Sequence, residues 1–348
     1  MRRAWKVIFS WTITVIVLAV LLTPQQAGTF FQRVSRQIFA GHYQRRAVTG
    51  RYIASIVYLT NHGLPKNTIE TLKAMKASEV YLYVAYYSDA YFRIPKNPYG
   101  MAEPADVLRQ ALSQLHQAGF SVTAVISSAL LDPKQATAAG LGILQPHSSI
   151  FNPITAKPFL TQLVKNLVQY PIDGVYIGEP YSVNASANTP NSMASAWLGL
   201  YQSLLKITQL AKLPMQMVLP DNFAVGSRLR NQSGLSNQFT QLPFAAIGID
   251  QENAYSGAPA QDLSLFKQVV RKTVQMAHGR PSITEISLRQ ADLKTPISPT
   301  FFKQEVQIVA NSHVNALLLF ANEFWPTSPY QKQYAKALQS FLNTPLGK

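Results

Sequence analysis

The 348-residue chain has no cysteine, which excludes a disulfide scaffold, a zinc ribbon and a thiol nucleophile. Histidine is sparse. His42, His62, His116, His147, His278 and His313 form no H-x-H or HExxH spacing, so no metal site is expected. A glycine-rich phosphate loop is missing as well: "YLTNHGLPKN" (58–67), which follows the first predicted strand, has no G-x-G-x-x-G, and no cofactor is expected. Acids are scarce, 16 against 31 lysines and arginines, for a formal net charge of +15. No nucleic-acid-binding motif accompanies that charge, so nucleic acid is not an expected partner.

What is present begins with the N-terminus. "MRRAWKVIFSWTITVIVLAVLLTPQQ" places Arg2, Arg3 and Lys6 before an uncharged apolar run that Pro24 closes. The run is just long enough to cross a hydrocarbon core as a helix. A buried core helix would show a polar face, and here only Ser10, Thr12 and Thr14 are polar. The small-residue site that a cleaved signal peptide needs is poor around Ala27, so an uncleaved signal anchor is the better reading. We expect a basic cytoplasmic tail over 1–6, a transmembrane anchor over 7–24, a basic juxtamembrane segment over 25–50 and a folded domain over 51–348. Arg33, Arg36, Arg45, Arg46 and Arg51 form a collar suited to anionic lipid headgroups or an anionic wall polymer. A positive-inside count alone does not favour exporting that collar. The short basic tail ahead of a first apolar segment nevertheless reads as a signal, which puts the domain outside a cell membrane crossed once.

From residue 51 the chain alternates two kinds of segment. Predicted strands fall at 51–59, 79–87, 121–130, 174–179, 214–220, 244–250, 282–288 and 315–324. Helical periodicity occupies 67–78, 103–119, 159–170, 191–211, 259–279, 300–313 and 328–343, with no clear helix between the fifth and sixth strands. Nearly all the strands are apolar on both faces. Such strands joined by helical crossovers form parallel sheets, and eight of them close into a (β/α)8 TIM barrel. A doubly wound open sheet is the rival, and the missing phosphate loop speaks against it.

In a (β/α)8 barrel the chemistry sits where strands end. "IDGVYIGEPYS" (172–182) ends its strand on Glu179. The other strands run to Asp89, to Asp221, to Asp250 and Glu252, and to Asn322, Glu323 and Trp325, while Glu285 stands within the seventh. So many carboxylates at one end cost stability through mutual repulsion, which a purely structural barrel has little reason to accept. Of the tyrosines in "VYLYVAYYSDAYF" (80–92), Tyr86, Tyr87 and Tyr91 are near enough to that end to line a groove there. Asp173, ahead of the fourth strand, reads as a turn residue. Glu179 also fits a strand-end carboxylate paired with Arg228 or Arg230, Glu285 a salt bridge inside the barrel, and Trp325 a plug at the barrel end.

Two segments carry a resemblance. "GEP" (178–180) resembles the Asn-Glu-Pro that ends strand 4 in clan GH-A glycoside hydrolases such as families 10 and 5, and "ITEIS" (283–287) resembles their strand 7 nucleophile segment. "IGIDQENAY" (247–255) is similar to their strand 6, and the strand ending at Trp325 to their strand 8. The resemblance implies a retaining glycosidase with Glu179 as acid/base and Glu285 as nucleophile. It implies a polysaccharide substrate of the cell surface or wall. Tyr255 would bond the nucleophile, Trp325 would stack on a sugar, and Tyr87, Asp89, Asp221, Asp250, Glu252 and Asn322 would line the groove. One departure stands out: Gly178 occupies the place of the Asn that contacts the sugar 2-hydroxyl, which fits an altered substrate, another residue in that role, or lost activity. A second resemblance, to bacterial glycosidase barrels with a "D-G-hydrophobic-x-hydrophobic-D" strand, covers Asp173 to Gly178, again except at Gly178. A non-catalytic carbohydrate-binding barrel and a structural envelope protein are the alternatives.

Overall fold

The structure, a computed structural model, describes residues 49–59, 63–85, 105–126, 153–177, 191–219, 238, 240–249, 259–289, 295–319 and 325–346. The predicted anchor over 7–24 and the collar ahead of Arg51 lie outside them. Among the described residues no helix is long and apolar enough to cross a membrane.

Eight strands form: β1 (Tyr52–Tyr58), β2 (Glu79–Ala85), β3 (Ser121–Ile126), β4 (Gly174–Ile177), β5 (Met215–Leu219), β6 (Ala246–Ile249), β7 (Ser282–Ile286) and β8 (Ala316–Leu319). They pair in chain order, all parallel, and β8 closes on β1. The expected (β/α)8 barrel is therefore the fold, and the open-sheet rival is excluded by the β1–β8 ladder.

Seven helices stand among the described residues: α1 (Thr68–Ala74), α2 (Ala105–Gln117), α3 (Pro153–Leu167), α4 (Asn191–Leu210), α5 (Pro259–Ala277), α6 (Pro299–Ala310) and α7 (Gln331–Asn343). Each of the last two buries one stripe. On α6 it is Phe302, Glu305, Val306, Val309 and Ala310, and on α7 Tyr334, Ala337, Leu338 and Phe341. The Ser298 hydroxyl caps α6 by accepting from the Phe301 N–H at 3.2 Å, with Pro299 in the first turn where its missing N–H costs nothing. Beyond α2 the chain turns at Gly119, whose φ of 102° a side chain would resist. α3 starts at Pro153 rather than at 159, because the helix runs through Pro158.

Register fixes which side chains point inward. Gln216 on β5 bonds to Glu79 and Tyr81 on β2, which is possible only across the barrel interior. Residues paired across a ladder share a face. Stepping round from Gln216 and Val218 gives Ala246 and Gly248, then Ile283 and Glu285, then Ala316 and Leu318, then Tyr52, Ala54 and Ile56. It continues through Glu79, Tyr81 and Tyr83 to Thr123 and Val125, then to Gly174 and Tyr176, and so back to Gln216. Gly248 is glycine because of this closure: a Cβ there would stand 2.8 Å from the Ile283 carbonyl oxygen and 2.9 Å from the Ile283 Cβ. The opposite faces of β7, β8 and β1, through Ile286, Leu317, Leu319 and Ile53, pack on α5, α6 and α7.

Arg51, the last cation of the predicted collar, is committed to the barrel. Its guanidinium donates to the carbonyls of Ala310 at 2.7 Å, Ser312 at 3.0 Å and Pro345 at 3.2 Å, and lies 4.9 Å from the centre of the Phe341 ring. These bonds supply the C-terminal carbonyls of α6 with a cation, as the helix dipole favours. Partial burial lowers its pKa.

Candidate active site

The turns from helix to strand are short and are all described for α1 to β2, α2 to β3, α3 to β4, α4 to β5, α5 to β7 and α6 to β8. Functional side chains of this fold are carried on the segments that run from a strand towards the next helix and on the last residues of the strands that precede them.

Glu285 is the one candidate acid whose surroundings are described. It is the penultimate residue of β7, lies beside Leu318 of β8 in register, shares the inward face with Ile283 and is 4% exposed. A carboxylate so placed stands inside the barrel towards its C-terminal end, with apolar neighbours along its own strand and across the ladder. Glu179 follows Ile177, the last described residue of β4, by two positions, and Asp250 follows Ile249 of β6 directly. Glu179, Tyr86, Tyr87, Asp89, Tyr91, Asp221, Asp250, Glu252, Tyr255, Asn322 and Glu323 all lie outside the described residues.

Trp325 is described, and its place corrects the stacking role. It is 3% exposed, its ring centre is 6.1 Å from that of Tyr334, and it belongs to the core cluster under α6 and α7. The carbonyls of Trp325 and Pro326 accept from the Gln331 side chain at 2.9 and 3.2 Å. A ring buried to that degree offers no face to a sugar. Arg289 ties the same wall together by donating to the Thr327 hydroxyl at 2.6 Å, which links the segment after β7 to the segment after β8. The Tyr334 hydroxyl donates to the Ile297 carbonyl, and burial raises its pKa.

The floor of the barrel holds a polar cluster that the sequence reading did not single out. Glu79, the first residue of β2, accepts from the Thr123 hydroxyl at 2.6 Å and from the Gln216 amide at 3.1 Å, and it also bonds Tyr52. The Tyr81 hydroxyl donates to the Gln216 side-chain oxygen. The Tyr81 ring meets Tyr176 of β4 edge-on, with centres 5.7 Å apart. Burial pushes the Glu79 carboxyl up, the bonds from Thr123, Gln216 and Tyr52 pull it down, and the charge of Asp173 pushes it up again; the net direction is up. Tyr52 and Tyr81 are raised well above the ordinary tyrosine value, first by burial and then by the Glu79 charge. One signal could have found this cluster: an acid opening a doubly apolar strand, with Tyr81 and Tyr83 following in its alternation.

Asp173 does more than turn the chain. Buried ahead of β4, it accepts from the Val122 N–H at 2.7 Å and stands 3.2 Å from His116 Nε2, which joins α2, β3 and β4. Among the described residues no group of three or more His, Asp or Glu side chains gathers as metal ligands would.

No protein-family model matches the chain, and no curated protein matches it. Solved structures do. The chain is similar to the PgaB (BpsB) glycoside hydrolase domain from Bordetella bronchiseptica, at 14% identity and a TM-score of 0.57 over 83% of this chain and 99% of that one. It is similar to a glycoside hydrolase family 5 enzyme from Prevotella bryantii, at 10% identity and a TM-score of 0.58 over 86% of this chain and all of that one. A GH18 chitinase from Pseudoalteromonas aurantia matches at 13% identity and a TM-score of 0.52, over 82% of this chain and 99% of that one. The described chain thus has the closed (β/α)8 barrel fold on which these glycoside hydrolases are built.

Proposed function

We propose that the protein is a glycoside hydrolase that acts by retention on a cell-surface or cell-wall polysaccharide and is held at the membrane by residues 7–24. The observation that carries the reading is Glu285, a buried carboxylate on the inward face near the end of β7, in a barrel whose structural neighbours hydrolyse glycosides. Retention needs a carboxylate to attack the anomeric carbon and a carboxylic acid about 5–5.5 Å from it to protonate the leaving oxygen. Glu285 takes the first role and Glu179, at the end of β4, the second. Strands 4 and 7 of an eight-stranded barrel stand across the mouth from one another, which suits a pair that flanks one sugar. The apolar neighbours Ile283 and Leu318 keep water from the nucleophile's inner side and sharpen its interaction with developing positive charge.

Full-chain variants test the pair. Glu285→Ala removes the nucleophile and lowers turnover by about a thousandfold or more. Glu179→Ala still forms the glycosyl-enzyme from an aryl glycoside, whose leaving group needs no proton, and then lacks a base for water. Azide attacks that intermediate without base help, so it restores turnover and yields a glycosyl azide of retained configuration. Parental rates in both variants on a confirmed substrate would sink the assignment.

Gly178 favours a second reading, a carbohydrate-binding barrel that has lost the chemistry. Binding without hydrolysis across a broad glycan screen identifies it. The anchor is tested separately: a reporter fused after Lys348 is active outside the cytoplasm if the domain is exported.

A further inference from the structure

Burial divides the charges more sharply than sequence does. Among the described side chains every lysine is exposed, whereas Glu79, Asp173, Asp262, Glu285 and Glu305 are buried and Glu70 is the one exposed acid. The contrast is concentrated on three helices that pack side by side, α5, α6 and α7. Their acids, Asp262 and Glu305, face inward at 4% and 0% exposure. Their cations face out: Lys267, Arg271 and Lys272 on α5, Lys303 on α6, and Lys332 and Lys336 on α7. Among the described residues none of these six forms an ion pair. Lys267 with Arg271, and Lys332 with Lys336, are like charges four residues apart, an arrangement that destabilises a helix. No nearby acid on the exposed face of these helices relieves it.

We infer that this arc is a docking surface for an acidic polysaccharide, distinct from the barrel mouth. Three helices about 10 Å apart present the cations across a convex arc of roughly 20 Å. A bilayer or a rigid duplex meets a convex surface along one line, whereas a flexible chain with an anionic group on each unit follows the curve and neutralises the cations in succession. Membrane insertion would also need exposed apolar side chains, and single-stranded nucleic acid would need exposed stacking rings. The one large apolar side chain exposed among the described residues is Leu210, at the end of α4 and off the arc. The surface therefore offers charge alone, which matches a hydrophilic polyanion. Such a contact releases counterions and weakens steeply with salt.

The test uses the full chain and labelled polygalacturonate, read by anisotropy between about 50 and 200 mM NaCl. The parent binds, and its affinity falls by about tenfold or more across that range. A variant with all six cations changed to glutamate binds at least tenfold more weakly at the lower salt, and its dependence on salt flattens. Lys332→Glu with Lys336→Glu alone, two exposed positions on one helix, gives a smaller loss in the same direction should the sixfold variant fail to fold. Long-chain polyphosphate tells a phosphate preference from a carboxylate one: at least equal binding to polygalacturonate is the expected result, and binding to polyphosphate alone overturns the assignment. Equal affinity of parent and variants assigns any binding to the N-terminal arginines and overturns the proposal. Tighter binding to duplex DNA or to anionic vesicles than to polygalacturonate also overturns it. Hydrolysis retained by the six-cation variant while its binding is lost separates this surface from the barrel mouth, so failure here is separable from failure of the hydrolase reading.

Discussion

The inward faces of β1 to β5 carry the hydrogen-bonding side chains Tyr52, Glu79, Tyr81, Thr123, Tyr176 and Gln216, whereas those of β6 to β8 carry Ala246, Gly248, Ile283, Ala316 and Leu318 with Glu285 among them. The two sides fill one interior by different means. On the polar side, directional bonds hold Glu79 between Thr123 and Gln216, and the geometry is set by donors and acceptors. On the apolar side geometry is set by volume, to the point that β6 and β7 approach only because Gly248 lacks a Cβ. The contrast teaches that one residue type sits in two settings in this barrel. Glu79 lies in the floor between the Thr123 hydroxyl and the Gln216 amide, while Glu285 has Ile283 along its strand and Leu318 across the ladder, near the C-terminal end of β7.

The largest effect is expected from forcing the volume-limited side. Gly248→Val places its Cβ against the Ile283 backbone oxygen, which cannot swing away, and adds further atoms towards Val218. The cost is about 3 kcal/mol or more, or loss of cooperative unfolding, as measured by urea denaturation. A variant as stable as the parent would mean that β6 and β7 do not close as described.

Next in size is Glu79→Ala, which leaves Thr123, Gln216 and Tyr52 around a cavity and costs about 3 kcal/mol. Glu79→Gln keeps the shape and separates bonding from charge. Because burial raises the Glu79 carboxyl above its unfolded value, folding takes up a proton between the two values. The stability so gained is fully present below the unfolded glutamate pKa of about 4.3 and is lost as pH rises through the folded value. The stability of Glu79→Gln relative to the parent therefore improves as pH rises above about 4.3, and a flat difference across pH would refute the raised carboxyl. The smallest effect is Tyr81→Phe, which removes one bond to Gln216 and costs about 1 kcal/mol in the same denaturation experiment.

The barrel was legible because doubly buried strands have no polar face. β1 and β3 read as largely apolar runs interrupted by Ser55 and Thr123 alone past their first residues, and their predicted starts lie within a residue of Tyr52 and Ser121. The predicted ends of β2 and β3 at 87 and 130 lie outside the described residues, which carry β2 to Ala85 and β3 to Ile126. The place of Glu285 within β7 was legible from the apolar run around it. Trp325 was misread for a reason that applies to any strand-end tryptophan. Sequence places the ring at the mouth but cannot say whether it faces a substrate or, as here, Tyr334. Glu79 escaped notice, and Arg51 was read as a collar cation alone, for a related reason: their partners, Gln216 and the carbonyls at the end of α6 and beyond, are far away in the chain and carry no local pattern.

The Arg51 clamp also bears on mechanical load. A pull on the chain ahead of it enters the barrel along β1, which is laddered on one side to β2 and on the other to β8. Force along a strand falls on all of its ladder bonds at once, in shear, whereas force across a strand opens them one by one. The guanidinium bonds to Ala310, Ser312 and Pro345 share that load beside the β1 ladders, so first strand and last helices are strained together. A barrel hung from this point resists being unzipped, and the same pull delivered through α7 would meet mainly side-chain packing.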